Sequence, residues 1–327
     1  MTEADDPQLS PAGAELRFAP GVSLAGRYRV VRLIGEGAIG EVYEAFDETL
    51  GEPIALKTLH AQVASHAVTV ERFRREIQLA RRIAHRNVCR SLEFGRHRMP
   101  DGVEVPFLTM ELLRGASLAK EMHRKGRYTT EEVLPLALQM AAGLQAAHEA
   151  GVIHRDFKPG NIVLVPEADA PPGTPPRLVI MDFGLARRHG FGEQTLTHTG
   201  EALGTPLYMA PEQVTSGVEP TTPATDIYAL GMVLYEMLTA DMPFKGNSTT
   251  VMTLKRLREK PASPRTIVPE LDPRWEAVIL RCLERAPARR FQSAAEVAAA
   301  LTGDAPVEPV GDSAAGKWGA LFGRRKG

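Results

Sequence analysis

From Tyr28 onward, short apolar or β-branched runs alternate with turn residues. Three such runs, 28–34, 41–46 and 54–59, are each bounded by Gly, Asp or Pro. Their alternation predicts a three-strand meander. The period then changes. Val70, Phe73, Ile77, Ala80 and Ala84 recur at helical spacing, which predicts a helix with Glu76 at the edge of its apolar stripe. Residues 106–110 return to strand character and close this first part. Beyond Gly115 the pattern is helical. Thr129-Thr130-Glu131-Glu132 offers a capping box, Val133, Leu136, Met140, Leu144 and Ala147 form one face, and Gly151 marks the stop. Further helical patterns run over 225–238, 275–284 and 293–301. The expected class is α+β: a small β-rich lobe with one helix (26–113), followed by a larger α-helical lobe (114–303).

Three stretches fall outside this periodic pattern. Residues 1–25 carry Pro7, Pro11 and Pro20 among acidic and small residues without a period, and read as a flexible leader. Residues 166–176 hold five prolines, which preclude regular structure and predict a surface loop. Residues 304–327 read as a flexible tail. Its Lys317-to-Lys326 stretch mixes basic and aromatic residues, so contact with an anionic membrane or a partner protein is the alternative. Gly316, Gly319 and Gly323 make it a poor isolated helix.

Composition narrows the classes. The 327 residues carry 39 Lys and Arg against 40 Asp and Glu, a net charge of −1, which gives no electrostatic footprint for nucleic acid. Any charge-driven partner must therefore use a local patch. Cys89 and Cys282 stand far apart, without a second Cys or a His at metal-ligand spacing, so neither a disulfide framework nor a zinc site is expected. The acidic amino terminus lacks the apolar segment of a secretory signal, and no apolar run approaches the roughly 20 residues of a membrane span. A reducing cytoplasm is the expected location.

The candidate chemistry lies in motifs. In Gly35-Glu36-Gly37-Ala38-Ile39-Gly40-Glu41-Val42, glycines let backbone amides approach phosphate oxygens, and the alternation after Gly40 places the loop in a hairpin rather than before a helix. A plain Gly-rich turn is the competing reading. Lys57, after Ile54-Ala55-Leu56, should share a face with Ala55 beneath that loop, where it can pair with phosphates; the alternative is an edge-strand lysine in solvent. Glu76 at an apolar border needs a cation, either Lys57 or a helical neighbour, Arg72. The fullest cluster is Val152-Ile153-His154-Arg155-Asp156-Phe157-Lys158-Pro159-Gly160-Asn161, followed by Met181-Asp182-Phe183-Gly184. Asp156 is placed to orient and deprotonate a hydroxyl, and Asn161 and Asp182 offer oxygen ligands suited to magnesium. Local turn capping by Asp and Asn is the bland reading.

In this order, and with Ala210-Pro211-Glu212 downstream, the motifs resemble those of the eukaryotic-type Ser/Thr protein kinases, including bacterial ones, over roughly residues 27–303. The resemblance implies a two-lobed kinase fold and transfer of the γ-phosphoryl group from ATP to protein hydroxyls, with magnesium as the ion and manganese as its substitute. It implies that Gly35, Gly37 and Gly40 cover the phosphates and that Lys57, positioned by Glu76, binds the α- and β-phosphates. Asp156 would be the base, Lys158 would contact the transferred phosphate, and Asn161 and Asp182 would hold the metal. For adenine it implies Val42 and Ala55 above the ring, Val163 below, Met110 as gatekeeper, and backbone bonds from Glu111 to Leu113. Asp226 would anchor the catalytic loop or cap its own helix, and Glu212 would pair with Arg290. Lys158 and Gly204-Thr205-Pro206 resemble the serine/threonine branch, with Thr205 bonding Asp156 and Lys158. Thr197 and Thr199 match paired autophosphorylation sites, and Arg155 marks the subclass ordered by such phosphates. Three positions depart from the pattern: Ile39, Phe157, and Ala80, which leaves volume near Phe183. A catalytically silent scaffold and a small-molecule phosphotransferase are the competing readings.

Overall fold

The computed structural model describes residues 17–36, 40–60, 67–167, 170–171, 173–183, 206–215 and 220–307. The chain divides into two compact units, Met1–Ser65 with Glu93–Leu112, and His66–Leu92 with Leu113–Gly327.

The first unit is a six-stranded sheet in the order β1-β2-β3-β4-β6-β5. Its strands are β1 (Ser23–Leu24), β2 (Tyr28–Glu36), β3 (Glu41–Asp47), β4 (Glu52–Thr58), β5 (Ser91–Arg98) and β6 (Glu104–Met110). The expected meander is β2-β3-β4. Alternation sends Tyr43, Ala45, Ile54 and Leu56 into the core, and Tyr28 meets Phe107 edge to face at 5.6 Å. Asp47 fixes the turn that follows β3. It accepts the amides of Thr49 and Leu50 and a two-pronged bond from Arg27 at 2.9 and 2.7 Å.

The leader expectation fails for its last residues. Phe18 is buried edge-on against Tyr43, and Leu24 lies in β1, which pairs with β2. This stretch has apolar side chains to bury, and it gives Val30 on β2 partners for both its N–H and its C=O, from Val22 and Gly21.

The second unit contains α1 (Ala67–Ala80), α2 (Leu118–Lys125), α3 (Thr130–Glu149), α4 (Pro211–Val214), α5 (Pro223–Thr239), α6 (Thr249–Arg258), α7 (Pro273–Cys282) and α8 (Ala294–Thr302). A three-stranded sheet, β7 (Ala116–Ser117), β8 (Ile162–Val165) and β9 (Arg177–Ile180), completes it. The capping box opens α3 as expected, with Glu132 N–H donating to Thr129 Oγ1 and Thr129 N–H to Glu132 Oε2. Helix α5 is apolar nearly all round and accordingly buried, the position of a central core helix. The described residues of 166–176 join β8 to β9 without helix or strand.

Helix α1 was expected in the first lobe but groups with the second unit. The segment after it is bound there: Cys89 N–H donates to Ile180 O, Ile180 N–H to Asn87 O, and the Asn87 amide to Leu178 O.

Candidate active site

The loop 154–161 runs from the end of α3 into β8, and Asp226 of α5 fixes its backbone. Asp226 Oδ2 accepts from His154 N–H at 2.7 Å and from His148 Nε2 at 2.8 Å, while Oδ1 accepts from Arg155 N–H at 2.8 Å. The N-cap of α5 is Thr222, so Asp226 anchors the loop rather than capping its own helix. Arg155 is thereby held at φ +65°, a left-handed conformation that non-glycine residues adopt only under constraint.

His154 is fully buried and locked in one tautomer. Its Nδ1 accepts the Asp156 N–H, and its Nε2–H donates to Met181 O at 2.8 Å. Phe157 stands edge-on to the His154 ring and Phe183 lies 4.6 Å from it, so the Phe157 departure is absorbed in the core.

On this frame the predicted polar cluster comes together. Lys158 Nζ lies 2.8 Å from Asp156 Oδ2, and the Asn161 amide donates to Asp156 O and Oδ2 at 2.8 and 3.0 Å. Both side-chain bonds fall on Oδ2, which leaves Asp156 Oδ1 without a partner among the described residues. Asn161 spends its donors on Asp156, so its Oδ1 is the atom suited to a cation. Met181 N–H donates to Asn161 O, which sets Asp182 beside this loop, at φ +58°. Among the described residues no group of three or more His, Cys, Asp or Glu converges to hold a metal. Two oxygen ligands suit a magnesium ion that shares its remaining positions with phosphates and water.

In the first unit, Val42 lies opposite Lys57, and Ala55 opposite Met110. Opposed residues share a face, as do positions two apart, so all four line one face of the sheet. Lys57 is only 7% exposed on a strand with neighbours on both sides, which rules out the solvent reading. Gly40 is required where it stands, because a Cβ there would lie 1.6 Å from Thr58 O. Gly35 pairs with Val42, and Glu111 is half-buried after β6. Val163 is buried between Ser117 and Val179 in the second unit, to which Leu113 also belongs. Gly37, Gly184, Thr197, Thr199 and Thr205 lie outside the described residues. Glu76 falls in α1, but its pairing with Lys57 lies outside the described side chains.

Downstream, Glu212 and Arg290 form the expected buried pair through two 2.8 Å bonds, with Thr225 Oγ1 donating to Glu212. Burial pushes the Glu212 carboxyl up, but the Arg290 bonds outweigh it and hold it below its ordinary value. Tyr208 donates to Glu236, whose carboxyl burial pushes up. Sequence reasoning gave His154 no role within its motif and missed His148 and Gln213. Gln213 accepts from Ala210 N–H and donates to Arg155 O, and its place two residues past Pro211 was the available signal.

A model of the protein kinase domain matches residues 28–300. A probable serine/threonine-protein kinase of Streptomyces coelicolor, SCO3848, is 34% identical over 292 residues, which is 89% of this chain and 42% of that protein. The serine/threonine-protein kinase PknA of Mycobacterium tuberculosis is 35% identical over 88% of this chain and 64% of its own length. The chain thus spans about half the length of these curated relatives. The crystal structure of the Mycobacterium tuberculosis PknI kinase domain superposes with a TM-score of 0.68 at 28% identity, covering 88% of this chain and 100% of that one. Rad53 in complex with AMP-PNP shares the fold at 21% identity, with a TM-score of 0.65 over 83% of this chain and 64% of that one.

Proposed function

We propose, from the premise that this chain belongs to the protein kinase domain family, in its bacterial serine/threonine branch, that it transfers the γ-phosphoryl group of ATP to serine or threonine hydroxyls of other proteins. The observation that carries the reading is the Asp156-Lys158-Asn161 cluster on a loop held by Asp226. Asp156 Oδ1 receives the proton of the attacking hydroxyl, while Oδ2 is kept in register by Lys158 and Asn161. Lys158 places positive charge where charge grows on the transferred group.

Asn161 and Asp182 hold magnesium, which when bound neutralises phosphate charge; manganese, similarly oxygen-loving, is the substitute ion. The oxygen-only donor set fits such a cation. Lys57, with Glu76, fixes the α- and β-phosphates under Gly35, Gly37 and Gly40. Val42, Ala55, Met110 and Val163 supply the apolar surfaces for adenine, and the backbone of Glu111 and Leu113 supplies its hydrogen bonds.

Phosphorylation of Thr197 and Thr199 by the enzyme itself adds charge that Arg155 pairs with, and Thr205 orients Asp156 and Lys158. Among the described residues no helix is long and apolar enough to cross a membrane. A reaction that consumes ATP suits the cytoplasm. Incubation with labelled ATP, magnesium and either a generic protein or small alcohols tests the function. Label on protein serine or threonine is expected. Label on the alcohols alone, or none at all, would overturn the reading in favour of a small-molecule phosphotransferase or a silent scaffold.

A further inference from the structure

Helix α6 is attached to its unit by a cation. Of its ten residues only Arg256 is fully buried, at 2% exposure, while Leu254 stands 47% exposed. A surface helix ordinarily buries an apolar stripe. Here the buried side chain is a guanidinium: Nη1 donates to Met209 O at 2.5 Å and Nη2 donates to Leu207 O. Desolvating a cation is costly, and burial holds the Arg256 pKa below its ordinary value. Such a group persists where its donors meet a need that apolar packing cannot.

That need is visible in the segment it grips. Leu207 and Tyr208 belong to a single 3₁₀ turn, Pro206–Tyr208, with Met209 just beyond it, between Thr205 and Ala210. Their carbonyls lie outside any strand ladder or α-helix. Two more side chains pin the same stretch. Tyr208 donates to Glu236 of α5, and Gln213 joins Ala210 N–H to Arg155 O, the residue before Asp156. The segment is therefore triangulated against α5, α6 and the catalytic-loop backbone.

We propose that Arg256 is a positioning residue for protein substrate: from α6 it fixes the carbonyls of Leu207 and Met209 and so sets the path along which the acceptor polypeptide is laid toward Asp156. The inference rests on the protein-kinase reading. The guanidinium serves the two carbonyls from two separate nitrogens, a geometry that the single Nζ of lysine does not reproduce, so charge alone is insufficient.

The test compares the parent with Arg256→Lys and Arg256→Met, using β-casein as acceptor and a fluorescent ATP analogue for nucleotide affinity. The expected result is a KM for casein raised about tenfold in Arg256→Met, equivalent to about 1.4 kcal/mol. Arg256→Lys should be intermediate, kcat should fall by less than KM rises, and nucleotide Kd should stay within about twofold. If Arg256→Met does not fold, Arg256→Lys carries the comparison. An unchanged casein KM in the folded variants overturns the proposal. So does a rise in casein KM accompanied by parallel losses of nucleotide affinity and thermal stability, which marks a merely structural role. Absence of transfer by the parent itself overturns the kinase reading, and is seen before any variant is compared.

Discussion

Replacing Asp226 by asparagine changes one atom of a side chain that accepts three hydrogen bonds, from His148 Nε2, His154 N–H and Arg155 N–H. An amide has a single acceptor oxygen, so in either orientation at least one backbone N–H of residues 154–155 faces an NH₂ group. The lost bond is charge-assisted, of the kind that contributes about 1.5–3 kcal/mol. It also opposes the left-handed strain at Arg155, φ +65°, a class of strain that costs roughly 1–3 kcal/mol. Asp226→Asn should therefore destabilise the second unit by about 2–4 kcal/mol. Because Asp156 follows Arg155 directly, displacement of this loop should slow phosphotransfer by about 10²-fold. Urea unfolding and initial-rate assays on the same preparations read the two effects. A stability change under about 0.5 kcal/mol, the range of surface substitutions, with transfer near the parent rate, would refute the anchoring argument.

Asp182→Ala should abolish the magnesium dependence of nucleotide binding, measured by calorimetric titration with and without the ion; unchanged dependence excludes Asp182 as a ligand. Mass spectrometry after incubation with ATP and magnesium should find phosphate on Thr197 or Thr199. The Thr197→Ala/Thr199→Ala double variant should be much slower on a protein substrate, and parity with the parent removes these sites from activation. Asp47 gives a pH-dependent contribution. The Arg27 bonds, followed by the turn amides, outweigh burial and hold its carboxyl below its ordinary value. A depressed folded pKa stabilises fully above the unfolded value, about 3.9, and the contribution is lost as pH falls through the folded one. Asp47→Asn should thus be less stable than the parent at pH 7, with the gap narrowing in acid. A constant gap in urea midpoints across that titration excludes the linkage.

What the sequence disclosed follows from where apolar side chains had to go. The β2-β3-β4 meander shows as short apolar runs bounded by turn residues, and α3 announces itself by Thr129 and Glu132 and a continuous apolar face, so both were legible. Strand β5 was not, because Ser91–Arg98 is a polar edge with Gly95 pressed against the Phe107 ring. Helix α6 was hidden for a related reason: its one fully buried residue is Arg256, while its apolar side chains Val251, Met252 and Leu257 are only half-buried and Leu254 is exposed. The packing of Phe18 and Leu24 on the sheet depends on contacts distant in sequence. At the candidate site, the motif showed which side chains lie together on the 154–161 loop. The His154 tautomer, the choice of Oδ2 by both Lys158 and Asn161, and the bridge through Gln213 are properties of hydrogen-bond direction, which residue type alone leaves open.

The central claim is that Asp156 acts as the base in phosphotransfer to protein hydroxyls, and the direct measurement pairs nucleotide affinity with transfer rate for the parent and Asp156→Asn. The account predicts nucleotide affinity near that of the parent, with transfer to protein serine or threonine reduced roughly 10²- to 10⁴-fold. Near-normal turnover by Asp156→Asn would contradict it.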